Sequence, residues 1–298
     1  MRVEIEETAA LRFDDGSPVR AASGIAPFGD GWLVVQDDAT HAAWWRPGAV
    51  TPVRVVEPVE GLEVFSSAAG TKHLKPDFEA ACAVPGERVV LLGSGSAASR
   101  MRASLVAPGG FTVAELAPLY GAVADALGLR GDQLNLEGAC RVGDRLRWFQ
   151  RGNLHAGVPT ASVDVDVATL LAAVTGAGSA ARVEVGEVRR YDLGAVGGVG
   201  LAVTDAVALA DGRVLVSAAA EDTPNAVDDG PVVASALALL DGDEVVATAA
   251  LPAGDGGPHK VEGLVVRGAT PDGVRLWAVV DADDPEVPST RLALRLRW

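Results

Sequence analysis

One pattern of about eighteen residues occurs five times in this chain. "FEAACAVPGERVVLLGSG" (78–95) lines up with "LEGACRVGDRLRWFQRGN" (136–153), with "TDAVALADGRVLVSAAAE" (204–221) and with "VEGLVVRGATPDGVRLWAVVDAD" (261–283). A looser copy is "ASGIAPFGDGWLVVQDDA" (22–39). Each copy has a small polar or acidic residue, a small residue, a short apolar strand, a turn of glycine or aspartate, and a second apolar strand ending in polar residues. The anchors Ser23, Glu79, Glu137, Asp205 and Glu262 stand about 60 residues apart, the span of a propeller blade with room for loops.

Two further strands follow in each unit. They are "HAAWWR" and "VTPVRVVE" in the first, "RMRASLVA" and "FTVAELA" in the second, "ASVDVDVA" and "ARVEVGEVRRYDL" in the third, and "VVASALALL" and "EVVATAAL" in the fourth. Four strands per unit is the blade of a β-propeller. The fifth unit ends one strand short, at "TRLALRLRW", and "RVEIEETAALRF" at the other end of the chain is free to complete it. The expectation is therefore an all-β, five-bladed β-propeller, one domain over residues 1–298, closed by its N-terminal strand so that no sheet edge is left open. A helix is expected in "APLYGAVADALGLRG", with Pro118 at its start, Leu119, Val123 and Leu127 at helical spacing and Gly128 near its end. "ATLLAAVTGAGSAA" reads equally as a short helix or a loop.

In a propeller the first strand of every blade lines the channel, so the five anchors form a ring. Unpaired carboxylates in such a ring repel one another, and a cation resolves the conflict. Oxygen-only ligands of variable geometry suit Ca²⁺, with Mg²⁺ the poorer fit because it demands a tight octahedron. Ser23, Glu79, Glu137, Asp205 and Glu262 are the candidate ligands, with Thr204 as the alternative to Asp205 in the fourth blade. The competing structural reading is that the carboxylates accept backbone hydrogen bonds as a clamp between blades. Cys82 and Cys140, the two cysteines of the chain, fall at matched positions three residues after their glutamates. They point to the opposite strand face and pack as small apolar residues.

These residues resemble the calcium-dependent apyrases, soluble nucleotidases built as five-bladed propellers with one calcium on the axis. "LYGAVADALGLRGDQLNLEGACRVGDRLRWFQRGN" is similar to that family's helix, "HESAC" motif and arginine-ended strand. "KVEGLVV" is similar to its "YEGI" motif, and "WLVVQDDATH" to the "VDDRTG" stretch with its essential aspartate. The resemblance implies a serine where the fourth blade has "VTDAV". The family's arginine in "DDRTG" is absent, Asp38 being followed by Ala39, and its "GKEW" is replaced by "GSGSAASR". A second resemblance is to the phytase-associated esterase-like and gluconolactonase or strictosidine-synthase-like propellers, which also use an "EG" glutamate as a metal ligand.

Polar residues gather where the second strands end and before the anchors. From them Asp37, Asp38 and Arg151 are the expected catalytic groups, and Lys75, His73, His259, Lys260 and Arg100 the expected substrate contacts. Metal-dependent hydrolysis of a small phosphate-containing or ester substrate is the leading function, and a non-catalytic propeller with a structural metal the alternative. The formal net charge of −15 repels phosphate backbones and anionic lipid, which disfavours nucleic acid and membrane as partners. A small molecule is the expected partner and a monomer the expected state. The N-terminus reads as neither a signal peptide nor a span, so a cytoplasmic protein is expected.

Overall fold

A computed structural model describes all residues except 226–229 and 285. Five antiparallel sheets surround one axis. The first blade is Ala22–Phe28, Gly31–Gln36, His41–Arg46 and Ala49–Arg54. The second is Phe78–Val84, Arg88–Gly93, Arg102–Ala107 and Gly110–Glu115. The third is Leu136–Val142, Arg145–Gln150, Thr160–Asp166 and Val185–Tyr191. The fourth is Val199–Ala208, Val214–Glu221, Val232–Asp241 and Glu244–Ala250, with the two-residue strand Ala195–Val196 added at its inner edge. In the fifth, Val261–Thr270, Gly273–Val280 and Thr290–Arg297 are completed by Arg2–Ala10 from the start of the chain.

That closure pairs Arg2 with Arg297 and Ala10 with Thr290, as the unfinished fifth unit requires. Closing a ring with the two chain ends removes the edge an open array would expose. The seam with the first blade is packed by indoles. Trp45 and Trp277 meet edge to face at 4.9 Å, and Arg291 lies over both rings.

Burial follows position in the blade. Second strands such as "VLVSAAAE" (214–221) are buried on both faces because neighbouring blades sandwich them. Outer strands alternate with solvent, as in "EVVATAA" (244–250). Each inner strand touches the inner strands of both neighbouring blades, so the five close a ring. That approach demands small residues. A Cβ on Gly138, whose φ is +69°, would lie 2.6 Å from the Cα of Asp205 in the next blade.

The expected helix spans Ala117–Leu127, opened by Pro118 and stopped by Gly128 in the left-handed region. It packs Leu119, Tyr120, Val123 and Leu127 between the second and third blades, and Tyr120 donates its hydroxyl to the carbonyls of Gly93 and Arg102. "ATLLAAVTGAGSAA" forms a second helix, Val167–Val174, capped by the Asp166 carboxylate. Cys82 and Cys140 are buried in separate apolar clusters, and burial pushes the Cys82 thiol up to about 12. Among the described residues no helix is long and apolar enough to cross a membrane.

Candidate functional site

Each inner strand breaks its ladder at the same end, and that of the fifth blade breaks again between Val266 and Gly268. The matched breaks lie between Ala22 and Gly24, Phe78 and Ala80, Leu136 and Ala139, Val203 and Asp205, and Val261 and Gly263. A bulge leaves one residue unpaired and re-aims its side chain. The matched bulge residues are Ser23, Glu79, Glu137, Thr204 and Glu262. Thr204, not Asp205, therefore holds the ring position of the fourth blade.

Asp205 corrects the sequence expectation. Its carboxylate lies between blades, where Oδ2 accepts the Leu264 N–H at 2.6 Å. Burial without a basic partner drives its pKa well above the usual carboxylate range, although backbone N–H groups of Ala206, Leu264 and Ala139 pull the other way. The sequence hid this because aspartate aligns with glutamate by charge, while a bulge shifts the register by one residue.

The two hydroxyls of the ring do the same job. Ser23 Oγ donates to the Phe78 carbonyl at 2.6 Å and Thr204 Oγ1 to the Val261 carbonyl at 2.5 Å. Both carbonyls immediately precede a ring glutamate, so each hydroxyl ties its blade to the next. Having given away its proton, Ser23 keeps lone pairs for an acceptor role, while Thr204 also bonds the Ser217 hydroxyl at 2.9 Å.

The three glutamates sit in a cup of about 270 Å³ with Ser23, Asp37, Lys75, Asp77, Arg100, Asn135, Arg151, Lys260, Asp281 and Asp283 in its wall. Basic side chains meet them from the rim: Lys75 lies 3.7 Å from Glu79, Arg151 3.2 Å from Glu137 and Lys260 3.3 Å from Glu262. Burial pushes Glu79 well above the ordinary glutamate range, reinforced by Asp37, and burial does the same to Glu262, reinforced by Glu137 and Glu221 and only partly offset by Lys260. Three glutamates, two of them with their ionised forms disfavoured, and the hydroxyls of Ser23 and Thr204 make up an oxygen-only set of the kind a hard divalent cation takes.

A second acidic group does not. Asp37, Asp77 and Glu79 bring carboxylate oxygens within 4.8 Å of one another. Lys75 already supplies their cation: its ammonium bonds Asp37 and lies 2.6 Å from Asp77. Burial works against its charge, but Asp37, Glu79 and Asp77 outweigh it and hold its pKa well above the ordinary lysine value. Asp77 has φ +59° and is buried, held also by Ser94 Oγ and by Arg100 at 3.2 Å.

Of the remaining expected residues, Asp37, Lys75, Arg100, Arg151 and Lys260 line the cup. Arg151 is clamped between Glu137 and Glu221, the latter at 3.0 Å. Asp38 does not join them: Arg20 binds it through Nε at 2.9 Å and Nη2 at 2.6 Å, in a side groove next to the cup. There burial, with Asp37 adding repulsion, raises it to about 6. His73 is exposed on the short turn Lys72–Leu74, and His259 packs against Gly254 in a cleft outside the cup, so neither histidine reaches it. Sequence reasoning assigned no role to Asp281 or Glu221. Burial, then Asp37 and Asp283, raise Asp281 to about 7, which places it in the cup as an acid at neutral pH.

A family profile described as Family of unknown function (DUF6910) matches residues 71–285, so the chain belongs to that family. No curated protein matches the chain. Among solved structures, glutaminyl cyclase of Myxococcus xanthus is 10% identical with a TM-score of 0.52, covering 99% of this chain and 97% of its own. A hypothetical protein from Leishmania major is 13% identical with a TM-score of 0.51, covering 99% of this chain and 91% of its own. A putative gluconolactonase is 12% identical with a TM-score of 0.43, covering 89% and 71%. At these identities the likeness to the first two shows a shared fold.

Proposed function

We propose that this member of the DUF6910 family is a divalent-cation-dependent hydrolase of a small phosphate-containing or ester substrate. The observation that carries the reading is the set of five matched bulges, whose residues are three glutamates and two hydroxyls, with Ser23, Glu79, Glu137 and Glu262 lining one cup. Glu79, Glu137 and Glu262 would hold the cation, with Ser23 and Thr204 completing the shell. Ca²⁺ fits this donor set better than Mg²⁺. Such an ion, when bound, polarises a phosphoryl or acyl oxygen.

The protein's own side chains supply the rest. Arg100, Arg151, Lys75 and Lys260 ring the cup and can hold an anionic group while charge develops on it. Asp37, fixed by Lys75, is placed to take a proton from an attacking water. Asp281, held near neutrality by burial and by Asp37, is placed to give a proton to the leaving oxygen. The resemblance to calcium-dependent apyrases agrees with this reading, with Thr204 supplying the hydroxyl that the resemblance implies for the fourth blade.

The test is turnover of 4-nitrophenyl phosphate and 4-nitrophenyl acetate by chelator-treated protein, with and without added calcium. Calcium-dependent turnover that falls at least a hundredfold in Asp37→Asn and Asp281→Asn is expected. Calcium binding with no turnover of either compound, in wild type and variants alike, would favour the second reading, a ligand-binding propeller whose metal is structural. That reading is supported by the hydroxyl clamps, which tie blades together whatever the cup does.

A further inference from the structure

The wall of the cup is built by two more positions per blade, and one blade leaves them blank. Just outside the ring stand Ala21, Asp77, Asn135, Ala202 and Lys260, and opposite them the second strands present Asp37, Ser94, Arg151, Ala219 and Asp281. The matching is fixed by the ladder: Asp37, Ser94, Arg151 and Asp281 donate their N–H groups to the carbonyls of Ala21, Asp77, Asn135 and Lys260, and Ala202 pairs with Ala219. Four blades therefore offer at least one polar side chain at this level. The fourth offers two methyl groups.

Beyond that low wall lies a cavity of about 130 Å³ between the third and fourth blades. Gly152, Gly198 and Gly200 line it, and Arg151 lines both it and the cup. At its edge is Glu221, carried there because the fourth blade's second strand runs on past Ala219. The Glu221 side chain is 4% exposed. Its Oε2 meets Arg151 at 3.0 Å, while Oε1 is buried with no hydrogen-bond partner among the described residues. A buried carboxylate oxygen left without a donor is costly, and a ligand donor removes the cost.

Resting on the reading of the cup as an anion-handling site, we infer that this side cavity is a substrate subsite. It takes a short arm ending in an ammonium or hydroxyl donor, received by Glu221 Oε1, while the anionic group of the same molecule rests on Arg151 in the cup. The substrate class is thereby narrowed to phosphate or carboxylate esters of small amino or hydroxy alcohols. Asp222, which also lines the cavity, favours the ammonium form.

Two probes that differ only at the arm test this. Phosphoethanolamine and ethyl phosphate are titrated calorimetrically into the calcium-supplemented protein. The expected result is that phosphoethanolamine binds at least tenfold tighter, and that this preference disappears in Glu221→Gln. Because Glu221 also holds Arg151, Ala202→Val serves as the second variant: it fills the cavity from the low wall and should erase the preference. Equal binding of the two probes to wild type overturns the subsite and leaves the reading of the cup standing. Binding of neither overturns both. A preference that survives in both folded variants overturns the assignment to this cavity.

Discussion

The sectors of the second, third and fifth blades differ from those of the first and fourth at one ring of positions. Ser23 and Thr204 are neutral, and each donates one hydrogen bond to the next blade's backbone. Glu79, Glu137 and Glu262 occupy the same bulge but carry carboxyl groups, which Lys75, Arg151 and Lys260 meet from the rim. A hydroxyl is sufficient to join two blades, so the clamp does not explain the glutamates. Buried acids whose ionisation is disfavoured weaken a fold unless something binds them. On the proposed function, the difference teaches that the hydroxyl sectors are the frame and the glutamate sectors the cation site.

The largest effect that sharpens this contrast is on cation affinity. Removing one charged ligand by Glu262→Gln is expected to weaken calcium binding by about two orders of magnitude, about 2.7 kcal/mol, while the cation-free protein becomes more stable. Calorimetry and melting in chelator read the two together, and a variant that keeps its affinity would place the cation elsewhere. Next comes the frame. Thr204→Val keeps the shape but leaves the Val261 carbonyl and Ser217 hydroxyl without their partner, at an expected cost of about 1–3 kcal/mol in urea unfolding. A change near zero would mean that the hydroxyl clamps are idle.

The third effect is on pH. Asp281 is raised to about 7 when folded from about 3.9 unfolded. The folded state therefore holds its proton more tightly, so the stability this group contributes is full below about pH 4 and lost as pH rises through about 7. Cation-free wild type should lose melting temperature between pH 5 and 8 more steeply than Asp281→Asn, and parallel curves would contradict the raised acidity. The smallest effect is expected at Asp205, already held towards its neutral form by burial. Asp205→Asn should change stability by less than about 1 kcal/mol and leave calcium affinity untouched, whereas a loss of affinity would return it to the ring.

The architecture was legible because the chain repeats it. Five copies of one strand–turn–strand grammar, with an unfinished last unit and a spare first strand, dictate the blade count and the closure. Four of the five ring positions were equally plain, since a polar residue followed by Gly24, Ala80, Gly138 or Gly263 marks the place where inner strands crowd together. The fourth blade was not, because "VTDAV" offers a charge one residue after the bulge and nothing in a single sequence reveals a one-residue displacement of the ladder. The cup's composition was half readable. Lys75, Arg151 and Lys260 flank a blade's own inner hairpin, near the glutamates they meet. The exclusion of Asp38 depends on Arg20, eighteen residues away, and the acidity of Asp281 on Asp37 at the opposite end of the chain. The second of these placements arises only when the ring closes.

The most direct measurement is the melting temperature of chelator-treated protein across a calcium titration, in wild type and in Glu137→Gln. A ligand that binds only the folded state must raise the midpoint, by an amount that grows with the logarithm of its concentration above Kd. The five-donor ring predicts such a rise in wild type and its loss in the variant. A flat titration of wild type protein that elemental analysis shows to be free of metal would contradict the axial cation, and with it the division of the ring into frame and site.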